Sequence, residues 1–235
     1  TRARPIPTEM PSRLTVTPEG TPGFSLFRFR MVKSIKSSEG LKHGPIGANA
    51  VHICVDMQRM FAEDTPWKMP WLERVLPRVA AIAEARPEQT IFTRFIPAQE
   101  PGQGAGMWRR YYQRWGSMTL REIGPEMVAI VPELAHLIPP ARTFDKHVYS
   151  PWTGSTFYHE LREQGADTTI ITGGETDICV LATVLGAIDW GFRVILVTDA
   201  LCSSANETHD AMAFRCLVRH LAWLSATLCR SSCLS

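Results

Sequence analysis

Three residues far apart in the 235-residue chain carry side chains that together make a nucleophilic centre. Cys179 follows Thr172-Gly-Gly-Glu-Thr-Asp-Ile178 at the start of a predicted helix, Asp56 closes the apolar run Val51-His-Ile-Cys-Val55, and Lys146 lies in Phe144-Asp-Lys-His-Val148. A thiol at a helix N-terminus sits beside unpaired N–H groups and the positive end of the helix dipole, which favours thiolate. A nearby carboxylate accepts its proton, and an ammonium offsets the negative charge of both. Cysteine, aspartate and lysine thus supply a nucleophile, a general base and an electrostatic partner. The Gly173-Gly174 pair allows a backbone path that aims N–H groups at a developing oxyanion. Each residue alone is weak evidence, because a cysteine on a helix is more often core than catalytic; the combination carries the reading.

For these side chains to meet, their segments must end at one rim of a sheet. From residue 51 short apolar runs alternate with helical segments, the signature of βαβ units on a parallel sheet. The predicted strands are 51–55, 90–94, 143–149, 168–172 and 193–199. Leu72, Val75, Leu76, Val79, Ile82 and Ala83 recur at helical spacing, with Pro77 expected to open the main helix after a separate turn. Further helices are expected over 155–164, capped by Ser155 and followed by Gly165, over 177–190, closed by Gly191, and from Asn206 through Met212 and Phe214. The Pro-, Gly- and aromatic-rich segment 95–142 is too long for a plain connection and is expected to be functional or to carry small helices. Helices on both faces of such a sheet place ligands at the carboxyl ends of the strands.

Composition bounds the rest. With 45% hydrophobic and 20% charged residues, the chain has enough apolar content for one sizeable α/β core, and no apolar run is long enough to span a membrane. Residues 1–50 carry a net charge of +5 and residues 51–235 a net −3, so the basicity belongs to the first segment. Residues 1–47, with six of the seventeen prolines, are expected to form a disordered or loosely attached basic arm, leaving 48–235 as the folded domain. The six cysteines show no C-x-x-C pair and no zinc spacing, and read mostly as free thiols. No secretory signal pattern is seen at the N-terminus, so the expected location is cytoplasmic. Cys54 and Cys202 read as small core residues. His147, His159 and His209 do not pair at ligand spacing and read as surface or capping residues, His209 with Asp210 buttressing the rim.

Val55-Asp-Met-Gln58, Phe144-Asp-Lys146, Gly173-Gly-Glu-Thr-Asp-Ile-Cys-Val180, Ala187-x-Asp-x-Gly191, Val197-Thr-Asp-Ala200 and Thr208-His209 together resemble the isochorismatase-like cysteine hydrolases over about residues 48–215. The resemblance implies a three-layer α/β/α fold around a six-stranded, mainly parallel sheet. It also implies catalytic roles for Asp56, Lys146 and Cys179, a cis peptide between Gly174 and Glu175, and an oxyanion hole from the backbone N–H groups of Glu175 and Cys179. The chemistry implied is attack of Cys179 on an amide, ureido or carbamoyl carbonyl, with Asp56 relaying the proton. No cofactor is implied. The partners implied are a small-molecule substrate and further copies of the chain as a dimer or tetramer, with no nucleic acid and no membrane.

The chain departs from its relatives in two places. Nicotinamidases of the superfamily bind a metal through an Asp-x-His pair and a further His after the second strand, where this chain reads Arg94-Phe-Ile-Pro-Ala-Gln-Glu100; no metal is therefore expected. The C-terminal residues 216–235 are atypical, and either 221–228 supply the sixth strand or the tail diverges. Met107-Trp-Arg-Arg-Tyr-Tyr-Gln-Arg-Trp115 reads two ways: Trp108, Tyr111 and Tyr112 roof a pocket while Arg109 or Arg110 meets a substrate carboxylate, or the aromatics only pack. Trp152 resembles a pocket-wall residue of relatives, and Thr176 joins the binding candidates. Two other functions stay open: vinyl-ether hydrolysis of the isochorismate type, against which the cysteine argues, and an idle binding or assembly module.

Overall fold

The computed structural model describes residue 41, residues 43–204 and the backbone of residues 222–224, all within the compact unit Gly40–Ser235. Residues 1–40, the helix expected from Asn206, and Cys216, Cys229, Cys233, His209 and Asp210 lie outside the described residues. The strands are β1 (Ala50–Val55), β2 (Thr90–Phe95), β3 (Arg142–Lys146), β4 (Thr168–Gly173), β5 (Arg193–Leu201) and β6 (Ala222–Leu224). They form one sheet in the order β3-β2-β1-β4-β5-β6, and every pairing is parallel. The sixth strand thus falls within the 221–228 segment.

Alternation along the central strands divides the core. Ala50, Cys54, Ile170, Ile195 and Val197 face one side and pack on helix α2. Val51, Ile53, Val55, Ile171 and Leu196 face the other and pack on α6 and α7. Runs buried on both faces are what a parallel sheet between helices requires. The helices are α1 (Arg59–Ala62), α2 (Leu72–Ala85), α3 (Met107–Arg114), α4 (Leu120–Ile123), α5 (Pro132–Ala135), α6 (Phe157–Glu163) and α7 (Leu181–Asp189). The segment 95–142 contains three of them, α3 to α5, and closes the rim of the sheet.

Two helical expectations change. Pro77 lies inside α2 rather than opening it; it sits on the exposed side, where solvent reaches the carbonyl left without its helical donor. The stretch expected as a helix from residue 177 begins with a π-helical turn, Thr176–Val180, before α7. The strand expected over 143–149 ends at Lys146. Residues 43–47, assigned to the arm by composition, run against the core. Ile46 is buried there, and the Arg193 guanidinium donates to the carbonyls of Pro45 (2.9 Å) and Gly44 (2.6 Å).

The sheet interior holds one polar chain. Fully buried His52 bonds Thr90 Oγ1 at 3.1 Å and Thr172 Oγ1 at 2.8 Å, across both neighbouring strands. The Thr90 hydroxyl donates to Arg86 O (2.8 Å), so His52 Nδ1 is assigned as donor to Thr90 and Nε2 as acceptor from Thr172. Burial pushes the imidazole down to about 3, so the folded protein holds it neutral. Unfolded His52 takes up a proton near its ordinary value of 6.5. The unfolded chain therefore binds more protons between about pH 6.5 and 3, and this contribution to stability falls as pH drops through that window. From pH 7 to 5 the loss expected from His52 is about 2 kcal/mol. Urea unfolding of the wild type and His52→Gln at both pH values tests this: the variant should lose less stability on acidification by about that amount, and equal losses would exclude the role.

Candidate active site

The strand order reverses direction between β1 and β4, and the side chains singled out by sequence lie at the carboxyl ends of the strands around that point. Asp56 follows β1, Lys146 ends β3, and Cys179 lies in the π-helical turn after β4. Lys146 Nζ donates to Asp56 Oδ2 at 2.6 Å and approaches Cys179 Sγ at 3.6 Å. The Cys179 thiol also hydrogen-bonds Asp56. The three groups therefore meet in one buried cluster, with the lysine and aspartate side chains 2% and 1% exposed.

Backbone geometry and neighbours set the carboxylate. Asp56 has φ +51°, a left-handed conformation uncommon for a side chain with a Cβ, and its N–H donates to both the carbonyl and the hydroxyl of Thr93. The Thr93 hydroxyl in turn donates to Asp56 Oδ1 at 2.7 Å. Gln58 ties the same corner together: its amide donates to Phe95 O (3.0 Å) and Val128 O (2.9 Å) and accepts from the Phe95 N–H (2.7 Å). Sequence reading missed Thr93, because one threonine in a β-strand carries no signal of its own. Across the cluster, Gly173 has φ +97°, and a Cβ there would sit 2.1 Å from Val55 O. Only glycine lets the chain leave β4 so close to β1.

Electrostatics revise one expectation. Burial pushes the Cys179 thiol well above its ordinary range, and the Asp56 carboxylate adds to this while Lys146 opposes it. The helix-terminus argument for a resting thiolate is therefore outweighed by desolvation. Burial works against the Lys146 ammonium, but the Asp56 carboxylate and Cys179 more than offset it, so Lys146 is held above its ordinary value. The resting cluster is a carboxylate–ammonium pair beside a neutral thiol.

A cavity of about 340 Å³ opens onto Cys179. Its apolar wall is Phe61, Trp67, Phe95, Tyr111, Trp115 and Tyr149; Lys68, Glu175 and Ser204 supply the polar part. Of the binding candidates from the sequence, Trp108, Arg109, Arg110, Tyr111, Tyr112, Trp152 and Thr176, Tyr111 alone is among its described lining residues. Trp108 packs behind the wall against Phe95, Tyr111 and Tyr149. Tyr112 is buried beside it, and Arg109, with Arg110, points to the exposed side of α3. Trp152 is core: its indole donates to Thr183 O (2.9 Å), and a Cβ on Gly186 would collide with its ring at 2.1 Å. Thr176 anchors the turn, its N–H and hydroxyl both donating to Cys202 O. Helix α3 reaches the cavity through Tyr111, one of the three aromatics expected to roof it. Glu175, whose backbone N–H was expected in an oxyanion hole with that of Cys179, follows a cis peptide after Gly174.

Nicotinamidase-type metal ligands have no counterpart here. Arg94 is held by Asp145 in a two-pronged ion pair (2.6 and 2.7 Å), and Glu100 pairs with Arg121. Among the described residues no three His, Cys, Asp or Glu side chains group at ligand distance. The described residues offer no ligand set that fits a divalent cation. Cys54 and Cys202 are buried free thiols; burial pushes Cys54 up to about 12.

A parallel α/β/α sheet with a buried cysteine, aspartate and lysine at its carboxyl rim defines the class of the protein. The isochorismatase domain matches residues 50–227, and the chain belongs to that family. It is similar to a cysteine hydrolase of Pseudomonas syringae pv. phaseolicola, with a TM-score of 0.72 and 21% identity, covering 83% of this chain and 98% of that one. It is 26% identical to Nicotinamidase 3 of Arabidopsis thaliana over 180 residues, 76% of this chain and 85% of that protein. It is also 26% identical to maleamate amidohydrolase of Pseudomonas putida over 86 residues, 37% of this chain and 38% of that protein. Several curated relatives are matched over only 36–40% of their length.

Removing Lys146 leaves the Asp56 carboxylate buried without its cation. Lys146→Met should therefore lower stability by about 3–5 kcal/mol, and Asp56→Asn combined with Lys146→Met should restore a large part of it. Chemical denaturation of the two single variants and the double variant tests this; additive losses would mean that the contact carries no coupling.

Proposed function

We propose that the chain is a metal-independent cysteine amidohydrolase that cleaves a C–N bond of a small amide, ureido or carbamoyl compound. The observation that carries this reading is the contact of the Cys179 thiol with both a buried carboxylate and a buried ammonium. Vinyl-ether hydrolysis has no need of a thiol in that position.

In the proposed reaction the substrate carbonyl lies over Cys179 Sγ. Asp56 takes the thiol proton as the S–C bond forms, and the carbonyl electrons move onto oxygen, where the backbone N–H groups of Glu175 and Cys179 stabilise the charge. The protonated Asp56 then delivers that proton to the nitrogen as the C–N bond breaks, leaving an S-acyl enzyme. Water then bonds to the acyl carbon as Asp56 takes one of its protons, and the S–C bond breaks as Asp56 returns that proton to sulfur, giving the acid and the neutral thiol. Lys146 stays protonated throughout; it orients Asp56 and balances the carboxylate whenever that is ionised. Thr93 acts as a positioning residue by holding the other carboxylate oxygen. Attack by a neutral thiol assisted by Asp56, rather than by a standing thiolate, follows from the raised thiol.

A panel of small amides and ureido acids assayed for ammonia release tests the reading. At least one compound should be turned over; Cys179→Ala should lower kcat by about 10³-fold or more, and mass spectrometry of the quenched wild-type reaction should show an acyl adduct on Cys179. Activity retained in Cys179→Ala on an enol ether, with none on amides, would replace this reading with the ether hydrolase.

A further inference from the structure

Cys202, Ser203 and Ser204 continue the chain past the carboxyl end of β5 and bond to the end of β4 and the turn after it. The Cys202 N–H donates to Gly173 O at 2.9 Å, and Cys202 O accepts the Thr176 N–H at 3.0 Å and the Thr176 hydroxyl at 2.8 Å. The Ser203 hydroxyl donates to Asp177 Oδ1 at 3.1 Å. Ser204 donates both its N–H, at 2.9 Å, and its hydroxyl to a single oxygen of Glu175, Oε1.

These contacts differ in what they fix. The bonds of Cys202 use its backbone atoms and secure the two sides of the turn, at Gly173 and at Thr176. Between them lie Gly174 and Glu175. Gly174 offers no side chain by which to be held, and none would fit: a Cβ there would stand 2.6 Å from Met69 Sδ and 2.7 Å from Cys202 Sγ. Glycine also leaves ψ at residue 174 the widest choice. The peptide that carries the Glu175 N–H is therefore oriented from its far side, by Glu175. That residue has the first side chain after the glycine pair, and Ser204 supplies both hydrogen bonds that its Oε1 accepts. Hydrogen bonds to a carboxylate are roughly twice as strong as those between neutral groups, which suits Glu175 to the task.

We infer that Ser204 is a positioning residue: its hydroxyl, acting through the Glu175 carboxylate, fixes the peptide plane whose N–H faces the carbonyl oxygen in the proposed reaction. An N–H stabilises a developing oxyanion best when its direction is set beforehand. A displacement of about 1 Å from productive geometry costs up to about a hundredfold in rate. The inference rests on the amidohydrolase reading, because it needs Cys179 to attack a carbonyl. It requires two reactions of the same thiol to respond differently. Acylation passes through a tetrahedral oxyanion and uses the N–H, whereas alkylation is a displacement at saturated carbon and forms no oxyanion.

The test treats the full chain at pH 9 with 4-nitrophenyl acetate, where formation of the S–C bond expels 4-nitrophenolate, and separately with iodoacetamide, where it expels iodide; the thiol proton passes to the buffer in both. Adducts on Cys179 are followed by mass spectrometry, which separates them from reaction at other side chains. Ser204 is exposed, so its truncation leaves no cavity in the core. In Ser204→Ala the acylation rate should fall about tenfold while the alkylation rate stays within about twofold of the wild type. Ser204→Thr, which keeps the hydroxyl, should restore acylation. Glu175→Ala should lower acylation at least as far, and Ser204→Ala added to it should have no further effect, since the acceptor is already gone. Equal losses in the two reactions would mean that the substitution disturbs Cys179 itself. Unchanged acylation in Ser204→Ala, or a multiplied loss in the double variant, would mean that the contact orients nothing. Each of these results overturns the inference and leaves the amidohydrolase reading in place. A wild-type Cys179 that is never acylated would overturn both.

Discussion

The site depends on a carboxylate and an ammonium held 2.6 Å apart with almost no access to water. Neither charge is stable there alone, because transfer of an isolated ion into a low-dielectric interior is strongly unfavourable. The pair therefore sets conditions on the elements around it. β1 and β3 must end at the same level although β2 separates them, which the parallel register provides by matching Val55 to Thr93 and Phe95 to Lys146. Asp56 must turn out of the strand direction, which its positive φ and its two bonds to Thr93 accomplish. Phe95 places its ring 5.2 Å from Lys146 Nζ and offers a π face where water would otherwise stand.

The polar chain in the sheet and the ion pair at its rim follow one rule by different means. His52 lies below the site on the same strand, and its interior position is stable because it is neutral and both ring nitrogens are bonded. Asp56 and Lys146 are stable because each is the other's counter-ion. Both are networks in which all principal groups are satisfied, the condition under which buried polarity is tolerated. The histidine contribution falls on acidification.

Much of this arrangement is legible in the amino-acid order. Val51–Val55 and Arg193–Asp199 are apolar runs whose length and neighbours leave little choice but buried parallel strands, and Gly173-Gly-Glu-Thr-Asp-Ile-Cys179 marks its own turn. The cavity wall was legible only at Tyr111, for a geometric reason. In Met107–Trp115 aromatic and basic residues are so dense that every face of the helix carries candidates, and of the three aromatics expected to roof the pocket Tyr111 lines it while Trp108 and Tyr112 do not. Trp67 and Lys68 come from the connection between α1 and α2, where no periodicity points to a side. Trp152 is a large ring beside a motif residue; that it fills the space over Gly186 is visible only once both helical neighbours are placed. The thiol's protonation was misjudged because a helix terminus is apparent in sequence and the depth of burial is not.

Charge conservation within the cluster reconciles a raised thiol with the proposed nucleophilic chemistry. At rest the carboxylate carries −1, the ammonium +1 and the thiol none. In the proposed reaction the thiol proton moves to Asp56 as sulfur attacks, so the negative charge leaves the carboxylate and appears on the carbonyl oxygen, while Lys146 keeps its charge. The sum stays at zero in each state, so a buried site never holds an uncompensated ion. A free thiolate beside an ionised Asp56 would break that balance, and burial would penalise it heavily. Proton transfer coupled to S–C bond formation is therefore the low-energy course for the proposed reaction. A thiol that remains neutral until a carbonyl arrives is also shielded from oxidation and adventitious alkylation, since both require the thiolate.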